Sequence, residues 1–93
     1  MGRNGWGNPV LFRVQGSAPV TITSVGEASH YLMHHWPEAG SRLHAKAQAS
    51  CTFALKGERT PRAARRAFIR AANEAAPVIE LQTWQSMVTL YPK

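Results

Sequence analysis

Apolar and polar residues follow two different rhythms along the 93-residue chain. In "PVLFRV", Val10, Phe12 and Val14 alternate with Leu11 and Arg13. In "PVTIT", Val20 and Ile22 alternate with Thr21 and Thr23. Successive side chains of a strand point to opposite faces, so this period of two predicts half-buried strands with one face on a core. Gln15-Gly16-Ser17-Ala18 between them is turn-like, and the two stretches read as an antiparallel hairpin.

After Ser24 the period changes to three and four. Ser24-Val25-Gly26-Glu27 has the form of a capping box and predicts a helix from Val25, with Val25, Ala28, Leu32 and Trp36 on one side and Pro37 as its stop. A second helix is predicted over 41–56, with Leu43, Ala47, Cys51, Ala54 and Leu55 inward and Gly57 as a left-handed cap. Phe53 falls on its far side and is expected to lie against another element. Thr60-Pro61 opens a third helix with Ala64, Phe68, Ala71, Ala72 and Ala75 on its apolar face, Arg62, Arg66, Arg70 and Asn73 on the other, and Pro77 as its stop.

Residues 78–93 carry mixed signals. Leu81, Trp84, Val88 and Tyr91 are helically spaced, whereas Val78, Ile79, Val88 and Thr89 favour strand; the reading is a short extended piece near Val78 followed by an apolar tail. The expected fold is therefore α+β: an N-terminal two-stranded antiparallel hairpin packed on three α-helices. It forms one domain over 9–80, after a flexible leader, 1–8, in which Trp6 can fold back, and before a C-terminal tail, 81–93. The expected core includes Val25, Leu32, Trp36, Cys51, Leu55 and Phe68.

This order of signatures resembles a known family. Ser24, Val25, Glu27, Ala28, Leu32, Trp36 and Pro37 are followed by Ala47, Cys51, Ala54, Leu55 and Gly57, then by Ala64, Arg65, Ala67, Phe68, Ala71, Ala72, Glu74 and Ala75. The set is similar to that of the short bacterial proteins grouped as domain of unknown function 982, over roughly Pro9 to Val78. The resemblance implies a compact α+β domain and supplies no catalytic residue, cofactor or substrate.

Composition narrows the function classes. One cysteine excludes an internal disulfide and a multi-cysteine zinc site within the chain, and fits a reducing, cytoplasmic setting. No apolar run approaches the length of a membrane span, and the start of the chain reads neither as a signal peptide nor as a myristoylation site. No membrane partner is expected.

Eleven basic against five acidic residues give a formal charge of +6. Between Lys56 and Arg70 lie Lys56, Arg59, Arg62, Arg65, Arg66 and Arg70, opposed locally by Glu58, so this stretch carries 6 − 1 = +5 of that charge. Arg62, Arg66 and Arg70 form a helical ridge. With the "GERT" turn before it, the helix pair invites comparison with a helix-turn-helix whose arginines meet phosphates.

Chemistry has fewer candidates. His30 and His34 share a helical face and could chelate a metal only with a third ligand drawn from Glu27, Glu38 or His44. They read as solvated, and His35 reads as packed at the helix edge. Cys51, with His44 two turns earlier, reads as a core residue rather than a nucleophile. No catalytic constellation, cofactor or metal site is expected. The leading expectation is a non-enzymatic interaction or regulatory domain that pairs with another protein or with itself as a homodimer, on the strength of the apolar tail, Phe53 and an open hairpin edge. Nucleic-acid binding through Arg59, Arg62, Arg66 and Arg70 is the alternative.

Overall fold

A computed structural model describes residues 5–37, 40–76 and 78–82. The strands are β1 (Gly5–Val14), β2 (Pro19–Ser24) and β3 (Ile79–Leu81), and the helices are α1 (Val25–His34), α2 (Arg42–Leu55) and α3 (Pro61–Glu74). The fold is α+β: a three-stranded antiparallel sheet of order β2-β1-β3, with α1 and α3 packed against it and α2 packed against those two helices.

The sheet corrects the two-strand expectation. After α3, backbone N–H groups of Val78 and Ile79 donate to Ala75, and the chain then runs back along β1. Phe12 thus lies between Val20 of β2 and Leu81 of β3, and Val14 faces Ile79. Three residues are too few to show a period, which is why β3 is not legible by alternation. The expected tail therefore begins one residue too early, since Leu81 closes β3; the rest of the tail from residue 83, including Trp84, Val88 and Tyr91, lies outside the described residues, as do residues 1–4, Glu38 and Pro77.

Residues 5–8 are not leader but the first part of β1. The β1–β2 register shifts between Gly5 and Val10, where Gly7 takes φ 95°. A bulge there turns Trp6 inward, and glycine supplies the left-handed backbone it needs. Trp6 is 1% exposed, and its indole N–H donates to the Ile22 carbonyl at 3.1 Å.

The helix starts follow the capping chemistry. Backbone N–H groups of Glu27, His44 and Ala63 donate to the hydroxyls of Ser24, Ser41 and Thr60, each satisfying a donor that the first helical turn leaves without a partner. At the end of α2 the N–H of Gly57 (φ 81°) donates to Ala54, and that of Glu58 donates to Phe53, a Schellman closure. α1 stops at His34 rather than reaching Trp36, with His35 as its cap.

Val25, Leu32, Trp36, Cys51 and Phe68 are buried, with Ala47, Ala64, Ala71 and Ala72 beside them. Leu55, placed in the core by its spacing, is 46% exposed. At 100° per residue it stands about 80° around the helix from Ala47, at the margin of the buried stripe. Phe53 is 38% exposed and packs under Arg59, whose guanidinium lies 5.4 Å from the ring centre.

The open edge expected of the hairpin is closed in part. β1 is paired on both sides. On β2, Pro19 has no donor and the Thr23 N–H is taken by the Glu27 carboxylate at 2.7 Å. On β3 the Ile79 N–H is taken by Ala75. Such blocked edges resist addition of a further strand.

In urea denaturation, Phe68→Ala is expected to cost about 3–5 kcal/mol, as for other buried aromatics, whereas Leu55→Ala costs less than about 1 kcal/mol. Equal losses at the two positions contradict the assignment of Phe68 to the core and Leu55 to its margin.

Candidate anion-binding groove

α2 and α3 pack as an αα-hairpin folded about the turn at Glu58. Residues equidistant from that turn come side by side, so Lys46 comes opposite Arg70, and Ser50 opposite Arg66. Between the helices lies a groove of about 250 Å³ lined by Lys46, Ser50, Arg59, Arg66 and Arg70 over an apolar flank of Leu43 and Ala67. Lys46, Arg59, Arg66 and Arg70 are exposed, and among the described residues no carboxylate lies within ion-pair distance of them.

Two contacts hold Arg59. Its guanidinium covers Phe53, and its Nη1 donates to the Ser50 hydroxyl at 3.4 Å. Ser50 is 6% exposed, and among the described residues its own proton has no acceptor. Phe53, which looks misplaced on the helical wheel, thus positions a cation.

The structure gathers three of the four expected contact residues. Arg59, Arg66 and Arg70 line the groove; Arg62 is exposed on α3 outside it. Arg65 leaves the basic surface altogether. It is 9% exposed, its Nε donates to the Asn8 carbonyl at 2.8 Å, and its buried Nη2 has no partner among the described residues. Burial, and secondarily the Arg62 charge, holds its guanidinium below the ordinary arginine range. The wheel contains the warning, since Arg65 stands about 60° from Phe68, on the buried side. Lys46 and Ser50 were missed because they belong to the groove only through the cross-helix pairing.

The histidines divide. His44 is 5% exposed; its Nδ1 accepts from the Gly40 N–H at 3.3 Å and its Nε2 lies 2.8 Å from the Leu32 carbonyl. With Nδ1 an acceptor, the proton sits on Nε2 and donates to Leu32. Nε2 ties α2 to α1 and Nδ1 ties it to the connection before it, so both nitrogens are occupied and His44 is removed as a metal ligand. The rings of His30 and His34 are 4.6 Å apart, and among the described residues no group of three metal-ligating side chains assembles. Glu27 is occupied by Thr23 and the α1 cap. His35 is exposed, with its ring 5.4 Å from that of Tyr31.

A second concavity, of about 710 Å³, lies between the hairpin and α1, with Val14, Ile22, Glu27, His30 and Tyr31 on its walls. Burial raises the Tyr31 phenol above its usual value.

Fold and site together define a small α+β domain, a three-stranded antiparallel sheet with three helices, and a cationic groove between the last two helices. The family model described as "Protein of unknown function (DUF982)" matches residues 8–79, and the chain belongs to that family. No curated protein and no solved structure matches the chain.

Cys51 is fully buried, and burial pushes its thiol from 9.0 up to about 11. A thiol reagent at pH 8 is expected to modify it only after unfolding, because the thiolate is the reactive form. A raised folded-state value makes the thiol's contribution complete below pH 9 and lost as pH rises through 11. Across that window the wild type is expected to lose stability relative to Cys51→Ala, by no more than about 1.4 kcal/mol per pH unit. Parallel stability profiles for the two proteins, or rapid labelling of the native thiol, contradict this.

Proposed function

We propose that this domain is a non-enzymatic module that binds nucleic acid through its phosphates, on the face formed by α2 and α3. The observation that carries the reading is the convergence of Lys46, Arg59, Arg66 and Arg70 on one groove with no carboxylate paired to them among the described residues. Arginine suits this role because its planar fork meets phosphate oxygens bidentately.

The contact is with the backbone rather than the bases. In a helix-turn-helix the N-terminal turn of the second helix reads base edges. Here Arg62 is exposed at that end, but Arg65 is buried against Asn8. What remains is a set of cations that recognises charge and not sequence.

The grounds for a protein partner or a homodimer weaken against this surface. Phe53 supports Arg59 instead of standing bare. The sheet edges are blocked in part, at Pro19, Thr23 and Ile79. Most of the apolar tail lies outside the described residues. The non-enzymatic reading draws support from the buried Cys51 thiol and from His44, whose two ring nitrogens are both occupied.

Fluorescence titration of duplex DNA across a salt series tests the proposal. Log K is expected to fall linearly against log salt, with a slope of about −0.9 for each backbone phosphate that the groove neutralises. Arg66→Gln/Arg70→Gln is expected to weaken binding and make the slope shallower than that of the wild type, and unrelated duplex sequences are expected to bind alike. No binding at low salt, or a slope untouched by the double substitution, contradicts the assignment.

A further inference from the structure

The groove has more positive charge, and a more buried hydroxyl, than an internal backbone phosphate uses. Resting on the nucleic-acid reading above, we infer that the pocket over Ser50 seats the terminal phosphate of a nucleic-acid strand, a phosphomonoester rather than a phosphodiester.

Charge is the first argument. Lys46, Arg59, Arg66 and Arg70 surround one concavity of about 250 Å³. A backbone phosphodiester carries a single negative charge, whereas a phosphomonoester carries about −1.5 to −2 near neutral pH and offers three strong acceptor oxygens. A doubly charged group matches the cations better.

Shape is the second. Ser50, 6% exposed, lies recessed in the groove, so a phosphate that reaches its Oγ must enter from the side open to solvent. An internal phosphate has chain on both sides and lies along a groove. A terminal phosphate has one ester link and can enter end-on.

The seat is also preorganised. The Ser50 hydroxyl accepts from Arg59, and among the described residues its proton has no acceptor, so that proton is free to donate to a phosphate oxygen. Arg59 is already held by the Phe53 ring and by Ser50. Less side-chain freedom is lost when an anion arrives at a cation positioned in advance. Ser50 and Arg59 thus form the base of the seat, with Lys46, Arg66 and Arg70 around it.

The test uses the full chain and labelled oligonucleotides of one sequence, with a 5′-phosphate, a 3′-phosphate or hydroxyls at both ends, at one fixed salt concentration. A phosphoserine peptide of matched net charge is the competitor. A phosphate at one or both ends is expected to raise affinity about ten-fold, the scale of one added charge-assisted hydrogen bond. In Ser50→Ala and Arg59→Gln the ratio of phosphorylated to unphosphorylated affinity is expected to fall to about one. Thermal unfolding checks that each variant is folded, and Lys46→Gln, at an exposed position, gives the same ratio test should either be unfolded.

Equal binding of all three oligonucleotides to the wild type overturns the seat and leaves backbone binding standing. Failure of every oligonucleotide to bind overturns both. Displacement of the phosphorylated strand by the phosphopeptide at equal concentration overturns the assignment to a nucleic-acid end and points to a phosphoprotein partner.

Discussion

The packing of the Phe68 ring is the contact on which the rest of the domain depends. Trp6 from the start of β1 meets it at 5.5 Å, Phe12 from the middle of β1 at 5.7 Å, and Trp36 from beyond α1 at 5.4 Å. Aromatic rings at such separations in edge-on and tilted arrangements attract beyond the gain from area burial alone. One side chain of α3 therefore joins the sheet, the end of α1 and the helical layer. Around it α3 presents Ala64, Ala71 and Ala72, with Ala75 just past its end, all buried. Alanine lets backbones approach closely but contributes little surface, so in a chain of 93 residues the few large rings carry much of the burial.

That inner face dictates the outer one. With alanines and Phe68 turned to the core, the long side chains of α3 other than Arg65 leave the buried side, and Arg66 and Arg70 line the groove beside α2. The turn at Gly57 then decides what they meet. Its left-handed backbone closes α2 with two hydrogen bonds and sends the chain back so that Arg59 lies over Phe53 and Ser50. A cationic groove thus follows from a core requirement on one helix and a capping requirement on the other.

Much of the architecture was legible because local chemistry and tertiary packing agree. Ser24 with Glu27, Thr60 with Pro61, and Gly57 each mark a helix boundary by a mechanism that needs no distant partner. What was not legible depended on partners far along the chain. Residues 5–8 read as a glycine-rich leader because composition hides a bulge that only Trp6 burial explains. β3 is defined by pairing with β1 and not by its own three residues. Arg65 and Leu55 sit at the margins of their stripes, where a few degrees of rotation decide between core and solvent; the apolar one came out exposed and the charged one buried. The groove shows the same limit. The ridge of Arg62, Arg66 and Arg70 is visible in one helix, but Lys46 and Ser50 enter only once α2 is folded against α3, and that register also leaves Arg62 aside.

The acidic side chains explain why the groove stays cationic. Glu27 caps β2 and α1, Glu74 accepts from the Ser41 hydroxyl at 2.8 Å, and Glu80 pairs with Arg13 at 3.1 Å on the outer face of the sheet. Each closes a junction between neighbouring elements or segments. Glu58 stands exposed at the turn without an ion pair among the described residues. Glu27, Glu74 and Glu80 are thus placed where the fold needs acceptors, and the groove cations are left without carboxylate partners among the described residues. An exposed arginine paired on the surface gains little from its carboxylate, so the fold loses little by leaving these unpaired. Under the proposed reading, a phosphate entering the groove would have no such salt bridge to displace before reaching Arg59, Arg66 and Arg70.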